Sequence, residues 1–125
     1  MSRTWLSFAP NTVPVVSVRM GVRRYEAMID TGAFISMISP ELSVRLGLPK
    51  QGQQRVVSVH GDIRNRHLVT LPATGVADLE IVACNAVITD LNPLWSGLNL
   101  LLGVNAFTNR RLHIDFREGR VYLLR

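Results

Sequence analysis

The sequence predicts a mainly β domain, a closed barrel-like fold with one clear helix and one short one. Three observations lead there. Apolar and polar residues alternate through 16–20 and 112–116, and Tyr25, Ala27 and Ile29 alternate with Glu26 and Met28 in a run that is wholly apolar at its far end. This is the period-two signature of strands buried on one face or more. Short turns with glycine at Gly21, Gly61 and Gly119 separate such runs. One stretch alone, opening at Ser39, has both the start and the stop signals of a helix. Many short strands punctuated by turns fit a small β barrel better than a layered α/β fold.

Along the chain, residues 1–11 read as an irregular or edge segment. Val16, Val18 and Met20 alternate with Ser17 and Arg19, and the chain turns near Gly21 and returns through 25–29. Ser39 supplies an N-cap, Pro40 the first helical position and Glu41 an acid in the first turn; Leu42 and Leu46 continue the helix to Gly47, with Pro49 just beyond. Two strands, 55–59 and 63–71, flank the short turn His60-Gly61-Asp62. Strands follow at 75–82 and 85–90, the second entering a loop with Asn92-Pro93 and Ser96-Gly97. Leu94 and Trp95 give that loop apolar bulk expected to pack against the body. Leu100-Leu101-Leu102-Gly103 is an apolar strand ending at glycine, followed by the short helix over 104–109. A last hairpin runs through 112–116, turns at Glu118-Gly119 and returns through 121–124.

Length and composition narrow the options. The 125 residues fit a single domain, 1–125, with 47% hydrophobic and 18% charged residues. A chain of this size buries about two-thirds of its unfolded surface, enough for a core. No apolar run approaches the ~20 residues of a membrane helix, and Pro10, Asn11 and Pro14 interrupt any secretory h-region. The single Cys84 forms no intrachain disulfide. Together these suggest a cytoplasmic protein with no membrane segment. The net charge is +5 and the pI about 10.7, yet the arginines are scattered, with a small cluster at Arg64, Arg66 and His67. There is no long basic run or aromatic stacking motif, so the charge reads as solvated surface and no nucleic-acid partner is expected.

The chemistry concentrates at Ile29-Asp30-Thr31-Gly32-Ala33. A carboxylate directly behind an apolar strand is costly unless something holds it, and Gly32 permits a sharp turn beside it. Asp-Thr-Gly alone is also an ordinary turn sequence. Its combination with Ser36 and, much later, Leu101-Leu102-Gly103 is more specific. Together these resemble the retropepsin-like, single-domain aspartic proteases over roughly residues 13–124. The resemblance implies that Asp30 is the catalytic acid and that the Thr31 hydroxyl bonds across a subunit interface. It also implies that backbone around Gly32 orients the acid, and that the hairpin at 55–71 is a flap bringing Val59, His60 and Gly61 to substrate, with Ala33 beside the acid.

Aspartic-protease chemistry needs two carboxylates facing one water, and two like charges in contact share a proton. The chain has one Asp-Thr-Gly. Asp62, Asp78, Asp90 and Asp115 lack its context, so a second copy must supply the partner acid, and a two-fold homodimer places Asp30 opposite Asp30. The expected activity is that of an aspartic endopeptidase acting on peptide or protein substrates. The alternative is a non-catalytic homodimeric β domain that binds a peptide or partner. The histidines and Cys84 show no metal-ligand spacing. No serine or cysteine lies in a nucleophile motif, and no phosphate-cradling loop is visible, so no cofactor or metal is expected.

Overall fold

The computed structural model describes residues 5–57 and 61–124, and strands dominate it. In chain order the elements are β1 (Trp5–Ser7), β2 (Val15–Met20), β3 (Arg23–Ile29), β4 (Ser36–Ile38), α1 (Pro40–Arg45), β5 (Gln53–Val57) and β6 (Ile63–Leu71). These are followed by β7 (Thr74–Val76), β8 (Leu79–Ile81), β9 (Cys84–Ile88), β10 (Leu100–Leu102), a 3-10 turn (Val104–Ala106), β11 (Arg111–Asp115) and β12 (Arg120–Leu124). No helix among the described residues is long and apolar enough to cross a membrane.

The strands form two sheets, ordered β5-β6-β9-β4-β10-β3-β2-β7-β8 and β1-β12-β11. The expected closure of the barrel is not met: β5 and β8 are free edges of the large sheet. The physical reason lies in the strands at those edges. Gln53, Gln54 and Arg55 of β5 are exposed, leaving that strand little apolar surface to dock elsewhere. The terminal sheet covers the core instead. Leu6 pairs with Val121, and both join Leu123, Val16, Val18 and Leu71 in the main apolar cluster.

Several elements follow directly from local chemistry. Val16, Val18 and Met20 are buried on one face of β2, and Gly21 at φ +64 opens its two-residue turn into β3. The Ser39 side chain accepts the Leu42 N–H at 3.1 Å, capping α1, and Gly47 at φ +65 ends it. The expected strand at 75–82 is instead a tight hairpin, β7 and β8, because Ala77 takes a positive φ of +55. Alanine pays a steric penalty there that glycine or asparagine would avoid, so composition gave no sign of the turn. The short helix ends at Ala106 rather than 109, since Phe107 leaves helical geometry and Asn109 turns at φ +65.

The centre of the large sheet is buried on both faces. Leu100 and Leu102 of β10, with Ala27 and Ile29 of β3, join the main cluster. Leu101 and Met28 point the other way, into a second cluster with Leu91 and Leu98. A strand covered on both sides reads as an uninterrupted apolar run, which explains Leu100-Leu101-Leu102. The 92–97 loop does not bury its bulk as expected: Leu94 and Trp95 are exposed, while Leu91 and Leu98 at its ends enter the core. Hydrogen bonds from Gly97 N–H to Asn92 Oδ1 and from Leu98 N–H to the Trp95 carbonyl shape the loop without help from those side chains.

Candidate active site

The site lies where β3 and β10 end side by side. These strands run parallel, with Ile29 opposite Leu102, and β10 also pairs antiparallel with β4. The segment joining β3 to β4 therefore crosses the end of β10, and Asp30 stands at the start of that crossing. Its N–H donates to the Leu102 carbonyl at 3.0 Å, extending the ladder by one residue and fixing the backbone from which the carboxylate projects.

The crossing is a tight turn organised by the acid. Gly32 N–H donates to Asp30 Oδ1 at 2.9 Å, and Ala33 N–H donates to the Asp30 carbonyl at 3.1 Å. This is an Asx-type turn, in which a short carboxylate caps the backbone two residues on. A Cβ on Gly32 would lie 3.2 Å from the same Oδ1, so glycine keeps the space beside the carboxylate clear. Asp30 is half-buried, whereas Thr31 and Gly32 are exposed.

Beneath the turn, Gly103 is required for space rather than for backbone freedom. Its φ of −92° is open to any residue, but a Cβ there would sit 2.6 Å from the Ala33 carbonyl oxygen and 2.9 Å from the Ile35 backbone. Val104 N–H donates to that Ala33 carbonyl at 2.8 Å. Buried Ser36 links the two segments: Gly103 N–H donates to its Oγ at 3.0 Å. Its own N–H and Oγ–H both donate to Asn105 Oδ1 at 2.8 Å, and Asn105 Nδ2 donates to the Asn85 carbonyl at 2.6 Å. The turn thus rests on a satisfied polar network inside apolar surroundings, which fixes geometry. Cys84 adjoins it; burial pushes its thiol pKa up, and a hydrogen bond with Ser36 acts the other way.

Above the turn a cleft of about 670 Å³ opens, a volume suited to a ligand of several residues. Asp30 and Gly32 lie at its floor, Ala33, Phe34 and Ile35 along one side, and Met37, Val87 and Leu101 behind. The hairpin of β5 and β6 forms the opposite wall with Val56, Arg64 and Arg66, and Leu94 and Asp62 also border the space.

Of the residues marked in the sequence, the structure brings Asp30, Gly32 and Ala33 to this cleft. Thr31 is exposed beside them. Gly61 lies at the exposed tip of the hairpin with φ +85, the positive value expected of its turn, and does not line the cleft. Val59 and His60 fall outside the described residues. Sequence reasoning overlooked Asn105 and read the hairpin cluster at Arg64 and Arg66 as solvated surface. For Asn105 the available signal was a polar side chain three residues after the apolar strand. Among the described residues no cluster of three metal-ligating side chains occurs.

Comparison with known proteins places this arrangement. The aspartyl protease family model matches residues 16–106, a span that includes the acid, the hairpin and the Gly103–Asn105 segment. No curated protein matches the chain. Among solved structures, the chain is similar to a retropepsin-like aspartic protease from Rickettsia conorii. The TM-score is 0.65 and the identity 17%, covering 95% of this chain and 87% of that one. At such identity the likeness concerns the fold, which is mainly β and retropepsin-like.

Proposed function

The chain belongs to the aspartyl protease family, and we propose that it is an aspartic endopeptidase that works as a homodimer, with Asp30 as the catalytic acid of each subunit. The observation that carries this reading is the carboxylate itself. Asp30 stands at the floor of a largely apolar cleft, fixed through Gly32 N–H at 2.9 Å and the β10 ladder. A turn needed only for chain reversal has no use for so much support.

One chain provides one such acid, so the second comes from a second copy across a two-fold axis. The surface beside the turn favours this. Phe34 is 86% exposed, and Leu94 and Val104 are exposed near it; large apolar side chains grouped around a functional turn mark an interaction surface. Thr31 is exposed on the same turn, and in this reading its hydroxyl bonds across that interface.

In the dimer the ionised carboxylate takes a proton from the water held between the two acids, and the water oxygen attacks the scissile carbonyl carbon. The protonated carboxylate donates to the carbonyl oxygen, giving a tetrahedral diol. Proton transfer to the amide nitrogen then allows the C–N bond to break, and the pair returns to one shared proton. The β5–β6 hairpin, with Gly61 at its tip, acts as the flap that covers substrate and excludes water, and Ala33 lies beside the bound chain.

Incubating the protein with a diverse peptide library, beside an Asp30→Asn control, tests the proposal. The parent should cleave with a bell-shaped pH profile and be slowed by a statine-type inhibitor, while Asp30→Asn should stay folded and dimeric without cleaving. Cleavage by Asp30→Asn at the parent rate would eliminate the aspartic mechanism. Peptide binding without cleavage by the parent would favour a non-catalytic binding domain. A strict monomer with full activity in sedimentation would remove the shared site.

A further inference from the structure

The cleft has a charged wall as well as an acidic floor. In the β5–β6 hairpin Gln54 lies opposite Arg66 and Val56 opposite Arg64, and directly opposed residues share a face of a sheet. That face is turned to the cleft: Val56 and Arg66 are half-buried, whereas Arg55 and Val57 are exposed, and β6 contributes Arg64 and Arg66 to the lining, with Asp62 just ahead of the strand. Arg55 also borders the cleft, although alternation sends its side chain to the outer face. Two guanidiniums therefore overlook the groove from one strand, spaced i and i+2, about 7 Å along the chain.

From this geometry we propose that the cleft selects extended peptides bearing two acidic side chains at alternate positions, Glu/Asp-X-Glu/Asp, held by Arg64 and Arg66. The proposal rests on reading the cleft as a peptide site. The alternate side chains of an extended peptide repeat at the same spacing as the two arginines, and guanidinium forks suit carboxylates. A polyanion such as single-stranded nucleic acid fits less well. Apart from the charged residues the lining is dominated by apolar side chains such as Ile35, Met37, Val87 and Leu101, and among the described lining residues Phe34 is the one aromatic ring on which bases could stack.

Binding to the Asp30→Asn protein, followed by fluorescence anisotropy, tests the idea apart from catalysis. The probes are labelled decapeptides with one apolar centre and Glu-X-Glu, Gln-X-Gln or Lys-X-Lys to one side, with an oligo-dT of ten nucleotides as a fourth. Glu-X-Glu should bind about tenfold or more tightly than Gln-X-Gln, and salt should weaken that preference. The double variant Arg64→Gln/Arg66→Gln should erase it, and Arg66→Glu should shift preference towards Lys-X-Lys. Both arginines reach the surface, so circular dichroism should show the fold retained. Equal binding of Glu and Gln peptides, no binding of Glu-X-Glu, or a preference surviving the double variant would overturn the proposal; so would tighter arginine-dependent binding of oligo-dT. In parallel with the parent, acid-selective binding without cleavage would support this inference and remove the protease reading. Cleavage with no acid preference would do the reverse.

Discussion

The two walls of the cleft are built on opposite principles. On one side the turn after β3 is braced by β10, Gly103, Ser36 and Asn105, with Ile29, Leu100 and Leu102 buried beneath it. On the other the β5–β6 hairpin is exposed over most of its length, and its burial begins at Val69 and Leu71, where β6 joins β9. Regions with few buried apolar contacts and solvent-facing hydrogen bonds open at low free energy. A reacting carboxylate needs a position held to a fraction of an ångström, whereas a cover that admits substrate must move. The contrast teaches that substitutions in the base should lower stability and activity together, and those in the hairpin should alter activity alone.

Gly103→Ala should have the largest effect. Its methyl group would press on the Ala33 carbonyl oxygen at 2.6 Å and the Ile35 backbone at 2.9 Å, atoms that cannot rotate away. A loss of about 3 kcal/mol in denaturant unfolding, with loss of cleavage, is expected; unchanged stability would show that the crossing tolerates separation from β10. Asn105→Ala comes next. It strips the acceptor from the buried Ser36 N–H and Oγ–H, and should reduce stability by about 2 kcal/mol while lowering kcat more than it raises KM. If kcat held, the network would serve folding only.

In the hairpin, Gly61→Val should do the opposite. Valine disfavours the +85° φ of that tip, so kcat/KM should fall sharply while stability drops by no more than about 1–2 kcal/mol. Equal loss of stability and turnover would break the division between the two walls. The smallest effect concerns pH. Because burial raises the Cys84 thiol pKa, the native state holds that proton more tightly than the unfolded chain. Stability is then complete below the unfolded thiol's titration and declines as pH rises through the native one. Cys84→Ala should flatten that alkaline decline in a pH series of melting temperatures. An unchanged slope would assign the decline to other groups.

Much of the fold was legible because its signals are local. Alternation located β2, β3 and β11, the Glu118-Gly119 turn located β12, and Ser39-Pro40 with Gly47 bracketed α1. Strand β4 was hidden, since three residues are too few to show a period. The β7–β8 turn was hidden too, because Ala77 adopts its conformation under tertiary constraint. Barrel closure was expected from the count of strands, but edge pairing depends on which surfaces remain apolar after the rest has packed.

The sequence alone determined the β class, the capped helix, the Asp-Thr-Gly turn and the later apolar strand ending at Gly103, while it was the family resemblance that joined turn and strand into one site. Each is a matter of neighbouring residues and their backbone preferences. Only the tertiary structure decided that β10 lies between β3 and β4, that Gly103 is glycine for lack of room, and that Asn105 joins Ser36 across 69 positions of chain. It alone set Arg64 and Arg66 side by side along the lining of the cleft. Contacts between distant segments depend on register and on which face each strand presents. A strand's own residues define two faces but do not say which neighbour will cover each.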